Sequence, residues 1–327
     1  MSPALPLLAA LVLAGPLFAG RRHAPLGRAW AVVGLAGLAL LSPALALPGG
    51  IPSPAASLGE HPPWQGLLDP AQGNPNLRDI HHQIEPWLLF LRDEWRAGRP
   101  ALWNPFQGAG APFWANGQSA PLFPLHWLFV LLPPSLGFVL LPWLRFVIAG
   151  LGAWVLAREL DVGEEGALLA GLVFPLSGML VSMLLFPMAN SLALVPWVIW
   201  ATERLVSGRS GGALLAGLAG LQLVGGHPET SVHTGMLALV WVMVRGLGEG
   251  VARCPRRRHL TVGAASGTSS ETGPGVGRNT SAPGTRSSGS PWPTTRTQAS
   301  CTSAVACSVC PGRSRLTYRA AMRRSSS

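Results

Sequence analysis

The chain has 327 residues, of which 48% are hydrophobic and only 12% are charged, and its mean hydropathy is +0.34. Soluble domains carry roughly 25% charged residues, so this composition excludes an ordinary soluble domain and points to a membrane protein. All 24 basic residues are Arg, and against 14 acidic residues they give a formal net charge of +10.

The positive charge is confined to one end of the chain. Residues 1–252 contain 12 Arg and 13 acidic residues, whereas residues 253–327 contain 12 Arg and a single acid, Glu271. All four Cys also lie beyond residue 252, so the body has no thiol and no disulfide framework. Because the body is nearly neutral, the net charge does not indicate a nucleic-acid partner.

Two uncharged runs open the chain, near 3–20 and 29–48. Each approaches the roughly 20 apolar residues that a membrane-spanning helix needs. A secretory signal places its positive charge before the apolar run, whereas here Arg21, Arg22 and Arg28 follow the first run. We therefore predict a retained first span with its carboxyl end in the cytoplasm; a cleaved signal is the alternative.

Residues 49–120 are too polar to span a membrane, with ten charges between Glu60 and Arg99 and many turn dipeptides. They predict a large loop with short helices. Within it, residues 79–98 carry apolar side chains at helical spacing, a pattern typical of a helix that lies on a membrane surface. The following segment, 121–134, is short and has Pro at both ends, which predicts an interfacial or re-entrant segment.

The rest of the body predicts five further spans, near 136–157, 166–186, 189–202, 211–226 and 231–245. With this topology the Arg-rich connections fall on the cytoplasmic side and the 49–120 loop falls outside, as the positive-inside rule requires. The predicted fold is an all-α, polytopic membrane helical bundle with a large helical extracytoplasmic loop. The predicted location is the cytoplasmic (inner) membrane of a bacterium, with the lipid bilayer as the first partner.

The topology places polar residues that are distant in sequence on the same outer face. They are Asp79, His81, His82, Glu85, Trp103, Asn104, Asn116, Gln118, His227 and Glu229. A carboxylate base beside His and Trp at a membrane surface suits an enzyme that acts on a lipid-linked sugar. Ordinary solvated loop positions are the alternative for each of them, and the solvated face of a helix is the expected place for Asp93 and Glu94.

Arg145 lies inside a predicted span, where a charge is costly unless it is paired or faces water. Toward the outer end of the span it would meet the phosphate head of a lipid carrier. Extension of the side chain to the membrane interface is the alternative.

An ordered series of short motifs runs from the loop through the later spans. In the loop it comprises Arg78-Asp79, Pro86-Trp87, 96–100, 102–105, 110–112, 116–119 and 123–125, and beyond it 149–153, 176–178, Pro196-Trp197, 203–205 and 226–229. In order and spacing this series, within residues 29–245, resembles the bacterial YfhO-like membrane proteins. That family looks related to the GT-C glycosyltransferases.

The resemblance implies a function for the outer face. It implies inverting transfer of a sugar from a polyprenyl-phosphate donor to a cell-envelope glycan or lipid acceptor, with Asp79 as the general base. From the sequence itself we predict no cofactor and no metal-ligating residue. His227 and Glu229 match a family motif and would bind the donor phosphate or the acceptor, or close a helix turn. The alternative is a non-catalytic membrane protein, a transporter or an assembly partner for envelope polysaccharide, whose loop only docks a partner.

The tail departs from the family, whose members continue with further spans. Residues 253–327 are a mixture of Ser, Thr, Gly, Pro and Arg that cannot bury a core. A disordered basic tail is one interpretation. The other is a coding sequence that has slipped out of frame, which would leave a truncated chain without the spans that complete a lipid-carrier groove, and so an inactive one.

The frame-slip hypothesis predicts that one of the other two reading frames beyond codon 253 encodes further apolar spans. Translating the gene in all three frames tests it. If neither alternative frame gives a run of about 20 apolar residues, the frame-slip hypothesis fails.

Overall fold

The computed structural model describes residues 4–19, 23–46 and 50–252, and over these residues the chain is mostly helical, which confirms the predicted helical class. The helices are α1 (Ala4–Ala19), α2 (Ala24–Ala46), α3 (Glu85–Arg96), α4 (Trp127–Leu131), α5 (Pro134–Glu159), α6 (Glu164–Val173), α7 (Gly178–Met183), α8 (Met188–Val206), α9 (Gly212–Leu223) and α10 (Pro228–Ala252). The predicted tail, 253–327, and Arg21 and Arg22 lie outside the described residues.

α5 is the central helix of the bundle and packs against α1, α2, α6 and α8. Its run of apolar residues leaves few solvent-facing positions, and Trp143, Phe146 and Val147 are almost completely buried. The Trp143 indole Nε1 donates a hydrogen bond of 3.1 Å to the Gly34 carbonyl of α2. The buried indole thus satisfies its one polar group against a neighbouring backbone, as close packing in an apolar interior demands.

Among the described residues, three helices are long and apolar enough to cross a membrane: Ala24–Ala46, Pro134–Glu159 and Pro228–Leu247. The predicted spans near 3–20 and 211–226 correspond to shorter apolar helices, Ala4–Leu17 and Gly212–Leu223. The predicted span near 189–202 corresponds to the 19-residue α8.

The predicted span near 166–186 is not one continuous helix but the two short helices α6 and α7. The break falls at Pro175, which has no N–H for a helical hydrogen bond. Ser177 then starts α7, because its hydroxyl accepts the N–H of Leu180 at 3.4 Å. A hydropathy profile reveals neither the missing N–H of Pro175 nor the cap formed by Ser177, because both residues lie within an uncharged run.

The 50–126 region folds onto the bundle as short helical turns and one small hairpin. Strands β1 (Trp103–Asn104) and β2 (Ala111–Pro112) pair antiparallel, with Trp103 opposite Pro112. The predicted apolar stripe of 79–98 is present, but it faces protein: Ile84, Trp87 and Leu88 belong to a buried cluster that includes Leu141 of α5. The prediction that this stripe lies on a membrane surface is therefore wrong.

Segment 121–134 forms a single 3₁₀ turn, Pro124–His126, followed by the five-residue α4. Five helical residues extend only about 7.5 Å, so this segment does not cross a membrane.

Ion pairs join the helix ends on the side of the bundle away from the 50–126 region. Arg28 Nη1 lies 2.9 Å from a Glu164 carboxylate oxygen and joins α2 to α6. Glu159, at the end of α5, pairs with Arg204 at 3.6 Å and with Arg209. These are the Arg residues of connections that the sequence assigns to one side of a membrane.

A fourth ion pair joins α8 to α10 and contains the most buried acid of the group. The Glu203 side chain is 3% exposed, and its Oε1 lies 2.6 Å from Arg245 Nη2. The Trp241 indole donates to Glu203 Oε2 at 2.8 Å, and the Ser207 hydroxyl donates to Oε1 at 2.9 Å. One carboxylate therefore organises the contact between the two helices.

We expect Glu203→Gln to lower the free energy of unfolding by about 1–3 kcal/mol, because an amide cannot accept all three of the hydrogen bonds that the buried carboxylate accepts. The matched control is Glu164→Gln, whose partially exposed pair with Arg28 contributes at most about 1 kcal/mol. Denaturant titration of the purified chain in bicelles measures both variants. Equal effects of the two substitutions would contradict this assignment.

Candidate functional site

The catalytic candidate, Asp79, stands at the start of an unusual helical turn. Residues Ile80–Ile84 form a π-helix, closed by the N–H of Glu85 donating to the Ile80 carbonyl. Single π-helical turns are frequent at functional sites. Asp79 itself is exposed, and the Gln83 side chain donates to its Oδ1 at 3.4 Å.

The two adjacent His candidates in this turn differ in solvent exposure. His81 is buried, 3.3 Å from the Ser57 hydroxyl through Nε2, whereas His82 is exposed. The two rings lie 4.3 Å apart, and His61 approaches His82 at 5.5 Å. No cluster of three or more His, Cys, Asp or Glu side chains suited to a metal ion occurs among the described residues.

Burial shifts the pKa of two groups, one in this turn and one directly after it. The pKa of His81 lies below its ordinary value of 6.5, because burial and then the nearby His82, Arg78 and His61 disfavour the charged ring. Burial also raises the pKa of Glu85, which follows in the first turn of α3.

A cleft of about 470 Å³ opens between α3 and the hairpin. It is lined by His82, Pro86, Trp87, Phe90, Asp93, Glu94, Asn104, Phe106 and Gln107. Its volume is that of a small-molecule site, and it combines aromatic faces with a few polar groups. Two of the predicted site residues, His82 and Asn104, line the same cleft.

The sequence predicts a solvated helix face for Asp93 and Glu94, and in the structure both also line the cleft. Each is paired with an Arg: Asp93 with Arg92 at 2.7 Å, and Glu94 with Arg99 at 2.5 Å. The helical spacing of the sequence indicates this shared lining, because positions 86, 90, 93 and 94 fall on one face of α3. The Asp93 side chain is 67% exposed, as the solvated-face interpretation expects, whereas the Glu94 side chain is only 19% exposed.

Two of the predicted site residues, Trp103 and Asn104, lie in the hairpin and differ in burial. Asn104 is buried, and its Oδ1 accepts the N–H of Phe106 at 3.0 Å, which shapes the turn beside the cleft. Trp103 is 54% exposed, and its indole lies over Gly110. A Cβ at Gly110 would meet the indole nitrogen at 2.5 Å, and φ at Gly110 is +97°, so glycine is required there.

The remaining predicted residues gather at a second place. Asn116 Oδ1 accepts the N–H of Gln118 at 3.1 Å and caps a short 3₁₀ turn. The turn before α10 packs directly on it, because a Cβ at Gly226 would meet the Gly117 carbonyl at 3.2 Å. The structure thus brings Asn116 and Gln118 beside the turn that precedes His227.

His227 closes the start of α10. Its Nδ1 accepts the N–H of Thr230 at 3.2 Å and lies 2.8 Å from the Thr230 hydroxyl. This arrangement matches the helix-closing alternative and leaves Nε2 for other contacts. Glu229 is exposed in the first turn of α10. Within residues 50–252, no hydrogen bond or ion pair joins Asp79 to His227 or Glu229.

Arg145 is 1% exposed within α5 and does not extend to the surface. Its Nε donates to Asn190 Oδ1 at 2.7 Å, and its Nη1 donates to the Leu184 carbonyl at 2.9 Å. Arg145 and Asn190 also line a second cavity, of about 90 Å³. The alternative in which this side chain reaches the membrane interface is therefore wrong.

Comparison of the chain with protein families, with curated proteins and with solved structures found no match.

We expect the stability of the 50–126 region to fall as the pH is lowered below about 6.5. Because the pKa of His81 is lowered in the folded state, the folded chain binds fewer protons than the unfolded chain in this range. The stability that neutral His81 contributes is fully present above the pKa of the unfolded state and is lost as the pH falls through the pKa of the folded state. Thermal unfolding at about pH 7.5 and about pH 5.5 measures the difference.

The variant His81→Gln should flatten this pH dependence, and His23→Gln, at an exposed position before α2, should leave it unchanged. Glu85 acts in the opposite direction, since the stability it contributes is lost as the pH rises through its raised pKa. Its effect is common to all three proteins and cancels in the comparison. An unchanged slope in His81→Gln would show that another group carries the pH dependence.

Proposed function

We propose that the chain is a multi-spanning protein of a bacterial cytoplasmic membrane, with the 50–126 region on the outer face. Three apolar helices of spanning length support the bilayer environment. The ion pairs of Arg28, Arg204, Arg209 and Arg245 support the orientation, because they lie together at the end opposite to this region. The positive-inside rule assigns such an end to the cytoplasm.

We further propose that the outer region carries a GT-C-like, YfhO-like sugar transfer, from a polyprenyl-phosphate donor to an envelope glycan or lipid acceptor. The observation that supports it most is the cleft, where Trp87, Phe90 and Phe106 stand beside His82, Asn104 and Gln107. Aromatic faces stack on the apolar faces of sugar rings, while amides and imidazoles bind hydroxyl groups. The Trp87 indole is already oriented by Gln107, at 3.1 Å.

In the proposed reaction, Asp79 takes the proton of an acceptor hydroxyl as its oxygen attacks C1 of the donor sugar. The new bond forms on the face opposite to the C1–O bond that breaks, so the carrier leaves as its phosphate and the anomeric configuration inverts. Asp79 lies three residues before His82 in the chain and is not itself among the residues that line the cleft. Asp93 is the carboxylate of the lining that the sequence did not select.

A second candidate function is a non-catalytic role in transport or polysaccharide assembly. This alternative is favoured because the side chains of His227 and Asn116 are already used to cap helical turns. Under this alternative the cleft would bind a glycan without transfer.

The test uses the full chain in proteoliposomes, with decaprenyl-phosphate glucose as donor and release of the decaprenyl phosphate as readout. Asp79→Asn should reduce transfer at least about 100-fold, the scale of general-base catalysis, and keep glycan binding. The substitution retains the oxygen that accepts from Gln83. The matched control is Asp69→Asn, which can still cap the turn at Ala71.

The outcomes separate the assignments. Loss of transfer in Asp93→Asn with full activity in Asp79→Asn would identify Asp93, and not Asp79, as the general base. Glycan binding that Trp87→Ala abolishes, without transfer by the unsubstituted chain, would favour the non-catalytic role. Absence of both transfer and glycan binding would overturn the proposed function.

A further inference from the structure

The short helix α4 presents an exposed apolar face directly before a helix of membrane-spanning length. Trp127 and Leu131 lie one helical turn apart on this face and are 48% and 72% exposed. The other side of α4 is covered by protein, since Phe129 is completely buried. α4 ends at Leu131, three residues before Pro134, where the apolar helix α5 begins. The exposed face therefore lies next to the point at which α5 would enter a bilayer.

The end of α3 packs on α4 and holds it in place. The rings of Trp95 and Trp127 lie 4.3 Å apart. The Arg96 Nε donates a hydrogen bond of 2.8 Å to the Val130 carbonyl. That carbonyl cannot accept the usual helical hydrogen bond from four residues further on, because residue 134 is Pro and has no N–H. Arg96 is thus fixed by its Nε beside the exposed face of α4.

The charge of Arg96 is not compensated within the described residues. Its neighbours Arg92 and Arg99 pair with Asp93 and Glu94, whereas Arg96 forms no ion pair in this part of the chain. Arg96 is exposed, and its Nε is the nitrogen that binds Val130. The two Nη groups carry the remaining N–H donors of the guanidinium. They are open to an anion that comes from outside the chain.

We propose that Arg96 and the exposed face of α4 bind an anionic phospholipid of the outer leaflet. The lipid phosphate lies on the guanidinium, and the acyl chains lie along Trp127 and Leu131. Guanidinium groups bind phosphate oxygens through charge-assisted hydrogen bonds, and Trp is enriched where a membrane meets water. A zwitterionic head group carries its own cation, which offsets this attraction. The inference rests on the proposed membrane location of the chain and not on sugar transfer.

This lipid site is distinct from the cleft, because Arg96 is not among the residues that line the cleft. It also differs from a purely structural role, in which Arg96 only holds α4 through the Val130 carbonyl. A structural role predicts no dependence on the charge of the lipid head. The decisive readout is therefore the ratio of binding between two head groups at the same position.

The first measurement tests where α4 lies, using the full chain in liposomes with the four tail Cys replaced by Ser. A single Cys in the Leu131→Cys variant carries the fluorophore NBD, and phospholipids with a nitroxide on the acyl chain quench it. We expect a nitroxide near the head group to quench more strongly than one near the chain end. Val240→Cys, an exposed position in the spanning part of α10, should show the opposite order. Ser210→Cys, at an exposed polar position, should show little quenching by either lipid.

The second measurement tests the class of head group. The label at position 131 is quenched with equal small fractions of nitroxide-bearing phosphatidylglycerol or phosphatidylcholine. We expect about a fivefold preference for phosphatidylglycerol, the scale of one Arg at a membrane surface. Arg96→Gln should abolish the preference, and Arg96→Lys, which keeps the charge, should keep most of it. The control Arg78→Gln removes an outer Arg that is already paired with Glu60, and should leave the preference unchanged.

The unsubstituted side chain at position 96 provides an independent test if Arg96→Gln fails to fold. At about 1 M salt the screening length falls to about 3 Å. Most of the preference for phosphatidylglycerol should then be lost, while quenching by phosphatidylcholine persists.

The outcomes separate this inference from the proposed function. Quenching at position 240 without quenching at position 131 would overturn the lipid site and leave the membrane location intact. Quenching at neither position would overturn both. Equal quenching by the two head groups, or a preference that is unchanged in Arg96→Gln or at high salt, would overturn the binding of an anionic lipid by Arg96. The sugar-transfer assay reports on the cleft alone.

Discussion

The cost of an unpaired charge in a low-dielectric interior governs the arrangement of this bundle. At one end, acids of α5, α6 and α8 each hold an Arg from a neighbouring segment, and these pairs join helices that are distant in sequence. The helices between those pairs and the 50–126 region are almost free of charge. Arg145 is the exception, and both of its hydrogen-bond acceptors are neutral.

The 50–126 region gains its order from the bundle rather than from long elements of its own. Its apolar side chains, including Phe113, share a buried cluster with Leu141 of α5. The turn before α10 packs on residues 117–120 at a distance that only glycine at 226 permits. The cleft beside α3 results, in which aromatic faces stand beside a few polar groups.

The sequence allowed the long elements to be predicted better than their interruptions. The runs that became α2, α5 and α10 were evident because hydropathy accumulates over many residues, whereas the break at Pro175 was concealed within an apolar run. The stripe of α3 was predicted correctly, but its partner was not, because periodicity reports an apolar face and not what covers it. Likewise His82 and Asn104 were selected as candidates, yet Asp93 was not, since cleft lining depends on how the hairpin folds against α3.

The central claim, that the cleft and the ion-paired end lie on opposite sides of a membrane, is open to direct measurement. Residues 1–252 contain no Cys, so single Cys substitutions report position cleanly once the four Cys of the tail are replaced by Ser. Ala71→Cys, in the 50–126 region, and Ser210→Cys, beside Arg209, are both at exposed positions. In intact spheroplasts a membrane-impermeant maleimide should label the Ala71→Cys variant at once and the Ser210→Cys variant only after permeabilisation. Labelling of both variants without permeabilisation, or the reverse pattern, would contradict the proposed arrangement.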